Sequence, residues 1–130
     1  MGQVRPRPVV LDAGAFIAFE KRDRRILTLI ERALHTRAPL HAPAGVIAQV
    51  WRDGGKQVRL ARLVNAGVIE IRELDLEEAQ AAGALCGRNG TKDVINASVA
   101  LLARRVGGVV VTRDPDDLRR IDPHVEVVTC

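Results

Sequence analysis

The sequence predicts an α/β protein: three layers, with a mostly parallel central sheet of about five strands between helices. Short apolar runs rich in Val, Val9-Val10-Leu11 and Val109-Val110-Val111-Thr112 above all, are too short and too β-branched for helices and read as strands covered on both faces. Stretches with apolar residues at i, i+3, i+4 and i+7 stand between such runs, as helices do in βαβ units. The chain has 130 residues, 47% of them apolar and 28% charged, enough for one domain with a real core over residues 1–130.

In chain order, the first strand ends at Leu11, and Asp12 follows, placed to cap a short helix over 13–19. The charged cluster 20–25 reads as a solvated turn. Ile26, Leu27, Ile30, Ala33 and Leu34 then mark an amphipathic helix with Arg25 and Arg32 on its wetter side, ending before Pro39. Leu40-His41-Ala42 is a second strand, broken by Pro43 ahead of a helix over 44–51. Asp53-Gly54-Gly55 signals a turn, and a basic helix is expected over 56–65, stopped by Gly67. Val68 to Arg72 alternates as a strand. Asp75, Glu77 and Glu78 suit the start of a helix over 76–85, and 87–92 reads as a loop. A helix over 93–105, apolar around most of its circumference, should be central, with Val94, Ile95, Ala97, Val99, Leu101 and Leu102 inward. The strand 109–112 follows, then a short helix at 118–120 capped by Asp116 or Asp117, and a final strand over 125–128.

Composition excludes several function classes. With two Phe, one Trp and no Tyr, the chain lacks the aromatic platforms on which single strands stack. Cys86 and Cys130 have no metal spacing and read as reduced thiols. His35, His41 and His124 are scattered, and no Gly-rich phosphate loop follows a strand. The N-terminus, 1–8, has no apolar signal core, and no run approaches the about 20 apolar residues of a membrane span, so a cytoplasmic protein without membrane contact is expected. Lys and Arg outnumber Asp and Glu by 20 to 16, for a net charge of +4, compatible with a polyanionic partner.

Two strands end in acids, Asp12 and Asp114, and parallel strands carry both to one edge of the sheet. Asp93 opens the most buried helix, and Asn96, three residues on, shares its face. Carboxylates gathered without a cation repel one another, whereas a hard divalent cation accepts them as ligands together with water and phosphate. Such a centre hydrolyses phosphodiesters. Arg52, Lys56, Arg59 and Arg62, spaced by four, three and three, are candidates for a positive stripe along a nucleic acid backbone, or else a solvated helix face.

The segments Leu11-Asp12-Ala13-Gly14-Ala15-Phe16, Pro43-Ala44 to Gln49-Val50-Trp51-Arg52, Asp93-Val94-Ile95-Asn96-Ala97 and Val111-Thr112-Arg113-Asp114 together resemble the motifs of PIN domains, and are most similar to VapC-type toxins of type II toxin–antitoxin systems. The resemblance covers essentially the whole chain. It implies a Mg²⁺- or Mn²⁺-dependent endoribonuclease, usually a homodimer, neutralised by a VapB-type antitoxin. It implies Asp12, Asp93 and Asp114 as metal-binding acids, with Thr112 steadying the site and Asn96 orienting water or ligating weakly. Two positions depart from the pattern: Gln49 stands where the family usually has Glu, and Asn96 where it usually has Asp. Each loses a charge and keeps an oxygen, so metal affinity should be lower than in a fully acidic member. Glu20 is a candidate to compensate, or a surface partner of Arg24; Asp116 is a candidate helper, or a turn residue. The competing expectation is a catalytically weakened PIN-fold module that binds RNA or a protein partner.

Overall fold

The computed structural model describes residues 6–130; the N-terminal stretch read for targeting signals therefore lies largely outside the described residues. Its elements are β1 (Val9–Leu11), α1 (Ala13–Glu20), α2 (Arg24–Thr36), β2 (Leu40–Pro43), α3 (Ala44–Val50), α4 (Val58–Asn65), β3 (Ile69–Arg72), α5 (Leu76–Asn89), α6 (Val94–Val106), β4 (Val109–Thr112), α7 (Pro115–Ile121) and β5 (Val127–Thr129). The five strands form one sheet in the order β3-β2-β1-β4-β5, and every pairing is parallel, where the sequence led us to expect mostly parallel.

The strand order reverses beside β1. The chain runs outward from β1 through β2 to β3, then returns to the other side of β1 for β4 and β5. A crevice opens at such a switch point, outside the carboxyl ends of the strands. The register pairs Leu11 with Val111, which sets Asp12 and Thr112 side by side at that crevice. Val10, Val110 and Val111 are fully buried, as strands covered on both faces must be.

Local chemistry sets most element boundaries. Asp12, Asp23, Asp75 and Asp93 all cap helices through their side chains, accepting from Ala13, Arg25, Glu78 and Asn96 N–H groups respectively. Several expected boundaries move. The helix expected over 76–85 runs on to Asn89, because Gly87 and Arg88 are compatible with helix and the stop signal is Gly90, left-handed at φ 65°. Asp114, not Asp116 or Asp117, occupies the N-cap position of α7; the latter two lie in its first turn after Pro115. Val94 faces solvent rather than the core, being the first residue of α6. The basic helix starts two residues late, at Val58, because Gln57 clamps the preceding turn: its Oε1 accepts from the Arg52 and Asp53 N–H groups and its Nε2 donates to the Val50 carbonyl.

In the structure Ile26, Ile30, Leu60 and Leu63 are buried in the main core, and Leu34 is left exposed. No helix among the described residues is long and apolar enough to cross a membrane.

Candidate active site

The crevice between β1 and β4 is built around one hydroxyl. Thr112, fully buried, donates from Oγ1 to Asp12 Oδ2 at 2.8 Å and accepts from the Asp114 N–H at 3.0 Å. A single side chain thus fixes the first acid directly and the last through its backbone. Asp12 is itself 7% exposed; its other oxygen accepts from the Ala13 N–H at 2.7 Å, and its own N–H bonds across to the Val111 carbonyl at 3.1 Å. It caps the helix and still has lone pairs for a further partner, since a cap oxygen retains them.

Burial pushes the Asp12 carboxyl above its ordinary value, and the negative charges of Asp114 and Asp93 add to that rise; the Ala13 and Thr112 hydrogen bonds oppose it. The three acids expected to act together therefore share one electrostatic neighbourhood. Asp93, exposed at the start of α6, accepts from the Asn96 N–H on Oδ1 at 2.9 Å and from the Asn96 side-chain amide on Oδ2 at 2.8 Å. Asn96 thus uses one of its two amide donors on Asp93 and keeps its carbonyl oxygen free.

Among the described residues no three His, Cys, Asp or Glu side chains close into a metal cage. The donor set is all oxygen, like-charged and open to solvent on the Asp93 and Asp114 side. That suits a hydrated hard cation held by one or two carboxylates, rather than a softer ion in an all-protein cage.

Arg113 is a feature that sequence reading passed over. Its side chain lies across Gly14, where an added Cβ would sit 2.8 Å from Arg113 Cγ and 3.0 Å from its backbone nitrogen. A small residue two positions after the first acid was the available signal. Gly14→Ala is expected to push the Arg113–Asp114 segment outward, costing about 1–3 kcal/mol of stability, which thermal melts check.

The remaining candidates lie elsewhere. Gln49 is exposed on α3. Glu20 closes α1 at the opposite end from Asp12, and its Oε1 accepts from Gln57 Nε2 at 3.0 Å. Asp116 is a well-exposed partner of Arg119 at 4.0 Å. Because α4 begins at Val58, Arg52 and Lys56 lie in the preceding turn and no four-residue helical stripe forms. Arg52 folds back onto the Ala48 and Trp51 carbonyls. Arg59 stacks over Phe19 at 5.1 Å, with its Nε buried and unpartnered; Arg62 is exposed.

No family model matches the chain, and no curated protein does. Solved structures do. A chain of a toxin–antitoxin complex from Klebsiella pneumoniae superposes with a TM-score of 0.67 at 20% identity, covering 93% of this chain and 96% of that one. A chain of VapBC2 from Rickettsia felis, bound to a DNA fragment from its promoter, gives 0.70 at 13% identity, covering 94% and 98%. FitAcB from Neisseria gonorrhoeae gives 0.59 at 18% identity, covering 92% and 95%. With its all-parallel five-stranded sheet and flanking helices, this chain has the PIN-like fold of these neighbours.

Proposed function

We propose that the chain is a Mg²⁺- or Mn²⁺-dependent endoribonuclease that hydrolyses RNA phosphodiester bonds, acting as the toxin of a toxin–antitoxin pair. The observation that carries this reading is the Thr112 hydroxyl joining Asp12 to Asp114 at the switch-point crevice. Asp12, Asp93 and Asp114 would hold the divalent cation, which when bound supplies an activated water and charge neutralisation at the scissile phosphate. The residues of the chain arrange that centre. Thr112 directs its proton at Asp12, so that Oδ2 remains an acceptor, and Asn96 pins the Asp93 carboxylate in one orientation. Arg113, packed by its Cβ and Cγ against Gly14, fixes the path of the chain into Asp114. The net charge of +4 favours a polymeric phosphate over a small one.

The likeness to chains of toxin–antitoxin complexes supports the toxin role and a VapB-type antitoxin as partner. An RNA substrate and a homodimer in the cytoplasm belong to the same reading.

Cleavage of a mixed cellular RNA pool tests it. Discrete cuts with Mg²⁺ or Mn²⁺ are expected, lost on adding EDTA and restored by excess Mn²⁺. The uncharged, exposed Gln49 favours a second reading: an RNA-binding or partner-binding module without catalysis. That module would hold RNA with strong salt dependence and would be indifferent to EDTA.

A further inference from the structure

Where the C-terminus of α5, the N-terminus of α6 and α7 meet, a recess of about 330 Å³ adjoins the site. Asn89, Thr91, Asp93, Asn96, Asp117 and Arg120 line it, and Ile121, largely buried, provides an apolar floor. Its volume lies at the small end of ligand pockets, about 300–1,000 Å³. Asp93 borders both this recess and the acid cluster, so a group seated here would stand next to the scissile phosphate.

The free hydrogen-bonding groups of the lining say what it takes. Asn89 gives one amide N–H to the Leu85 carbonyl at 2.9 Å and Asn96 one of its own to Asp93, so each keeps its carbonyl oxygen and a second N–H. Asp117 has one weak contact, at 3.4 Å to Arg120, and carries further lone pairs. On the donor side, the Thr91 hydroxyl accepts from the Asp93 N–H at 3.2 Å and keeps its proton, and Arg120 keeps most of its N–H groups. Two carboxylates against one guanidinium leave the lining net negative, which disfavours a phosphate inside it. It favours a neutral group with adjacent donors and one acceptor. Among RNA bases that is the Watson–Crick edge of guanine, with N1–H and N2–H side by side and O6 beyond; adenine, cytosine and uracil each lack the paired donors.

We propose that the recess binds a guanine base, unstacked from single-stranded RNA beside the scissile phosphate, with Asp117 accepting from N1–H and N2–H and Arg120 or Thr91 donating to O6. The proposal rests on the ribonuclease reading above for its place in the reaction, and on the recess alone for its base.

Two experiments separate these. In the first, randomised RNA is cut by wild type, Asp117→Ala and Asp117→Asn, and the ends are sequenced. Guanine is expected at one flanking position, preferred on the order of ten- to a hundredfold, with the preference lost in Asp117→Ala while cutting elsewhere continues. Asp117 and Arg120 side chains are 51% and 79% exposed, so the variants should fold, which melts confirm. In the second, guanosine and adenosine 5′-monophosphates are titrated in EDTA, following the Thr91 and Asn96 amide resonances. Guanosine-specific shifts that vanish in Asp117→Ala support the recess even if no RNA is cut, in which case the ribonuclease reading fails by itself. Equal or absent shifts, or a guanine preference that survives both Asp117 variants, overturn the proposal.

Discussion

Asp12→Asn is expected to lower RNA cleavage by more than about a hundredfold, because losing a group that only supports a metal ligand already costs about 10–100-fold. The fold should survive: the Asn carbonyl can still accept from the Ala13 N–H that Asp12 Oδ1 now takes. The variant should also reveal the electrostatic cost of the site. Burial and the neighbouring acids raise the Asp12 carboxyl above its ordinary 3.8, so the native state binds that proton more tightly than the unfolded chain does. The stabilisation from this shift is fully present below pH 3.8 and is lost as pH rises through the raised native value. Wild type should therefore lose stability relative to Asp12→Asn as pH climbs from below 3.8 to neutral. Thermal melts across that range read the change, and Mg²⁺ at neutral pH should raise the wild-type melting temperature alone. A pH-independent difference between the two proteins would mean that the Asp12 carboxyl is not raised in the native state.

The second large effect is structural. Glu78, 3% exposed, receives Arg105 at 2.5 Å and Arg72 at 3.4 Å, tying α5 to α6 and to the end of β3. The charges are unequally placed, since both arginines reach solvent and the carboxylate does not. Arg105→Ala leaves that carboxylate buried with only its longer partner, and a loss of on the order of 3 kcal/mol is expected. Glu78→Gln should cost less, because the freed arginines can hydrate. Denaturant melts of the two variants test the order; a reversed order would place the burden on the arginines.

Much of this was legible in the chain. The Val-rich strands, the capping aspartates and the Gly stops are local signals, and the strands fell within two residues of where they were read. Where reading slipped, a tertiary or capping partner intervened. Gln57 shortened α4 by holding the turn before it, and with that the expected stripe of Arg52, Lys56, Arg59 and Arg62 was divided between turn and helix. Arg59, charged and therefore read as solvent-facing, lies over Phe19. Spacing shows which residues share a helix face only once the helix boundaries are known.

By itself the sequence determined the alternation of strands and helices, the acids that end two strands and open a central helix, and the departures at Gln49 and Asn96, because these depend on residue type and near neighbours along the chain. Only the tertiary structure decided that β1 and β4 are adjacent, that Thr112 bonds Asp12 across one hundred positions of chain, and that Asn89, Asp117 and Arg120 meet around one recess. The physical reason is range. Caps and periodicity act over a turn or two, whereas the switch point arises from strand order, which is set by the burial of the whole sheet between its helices.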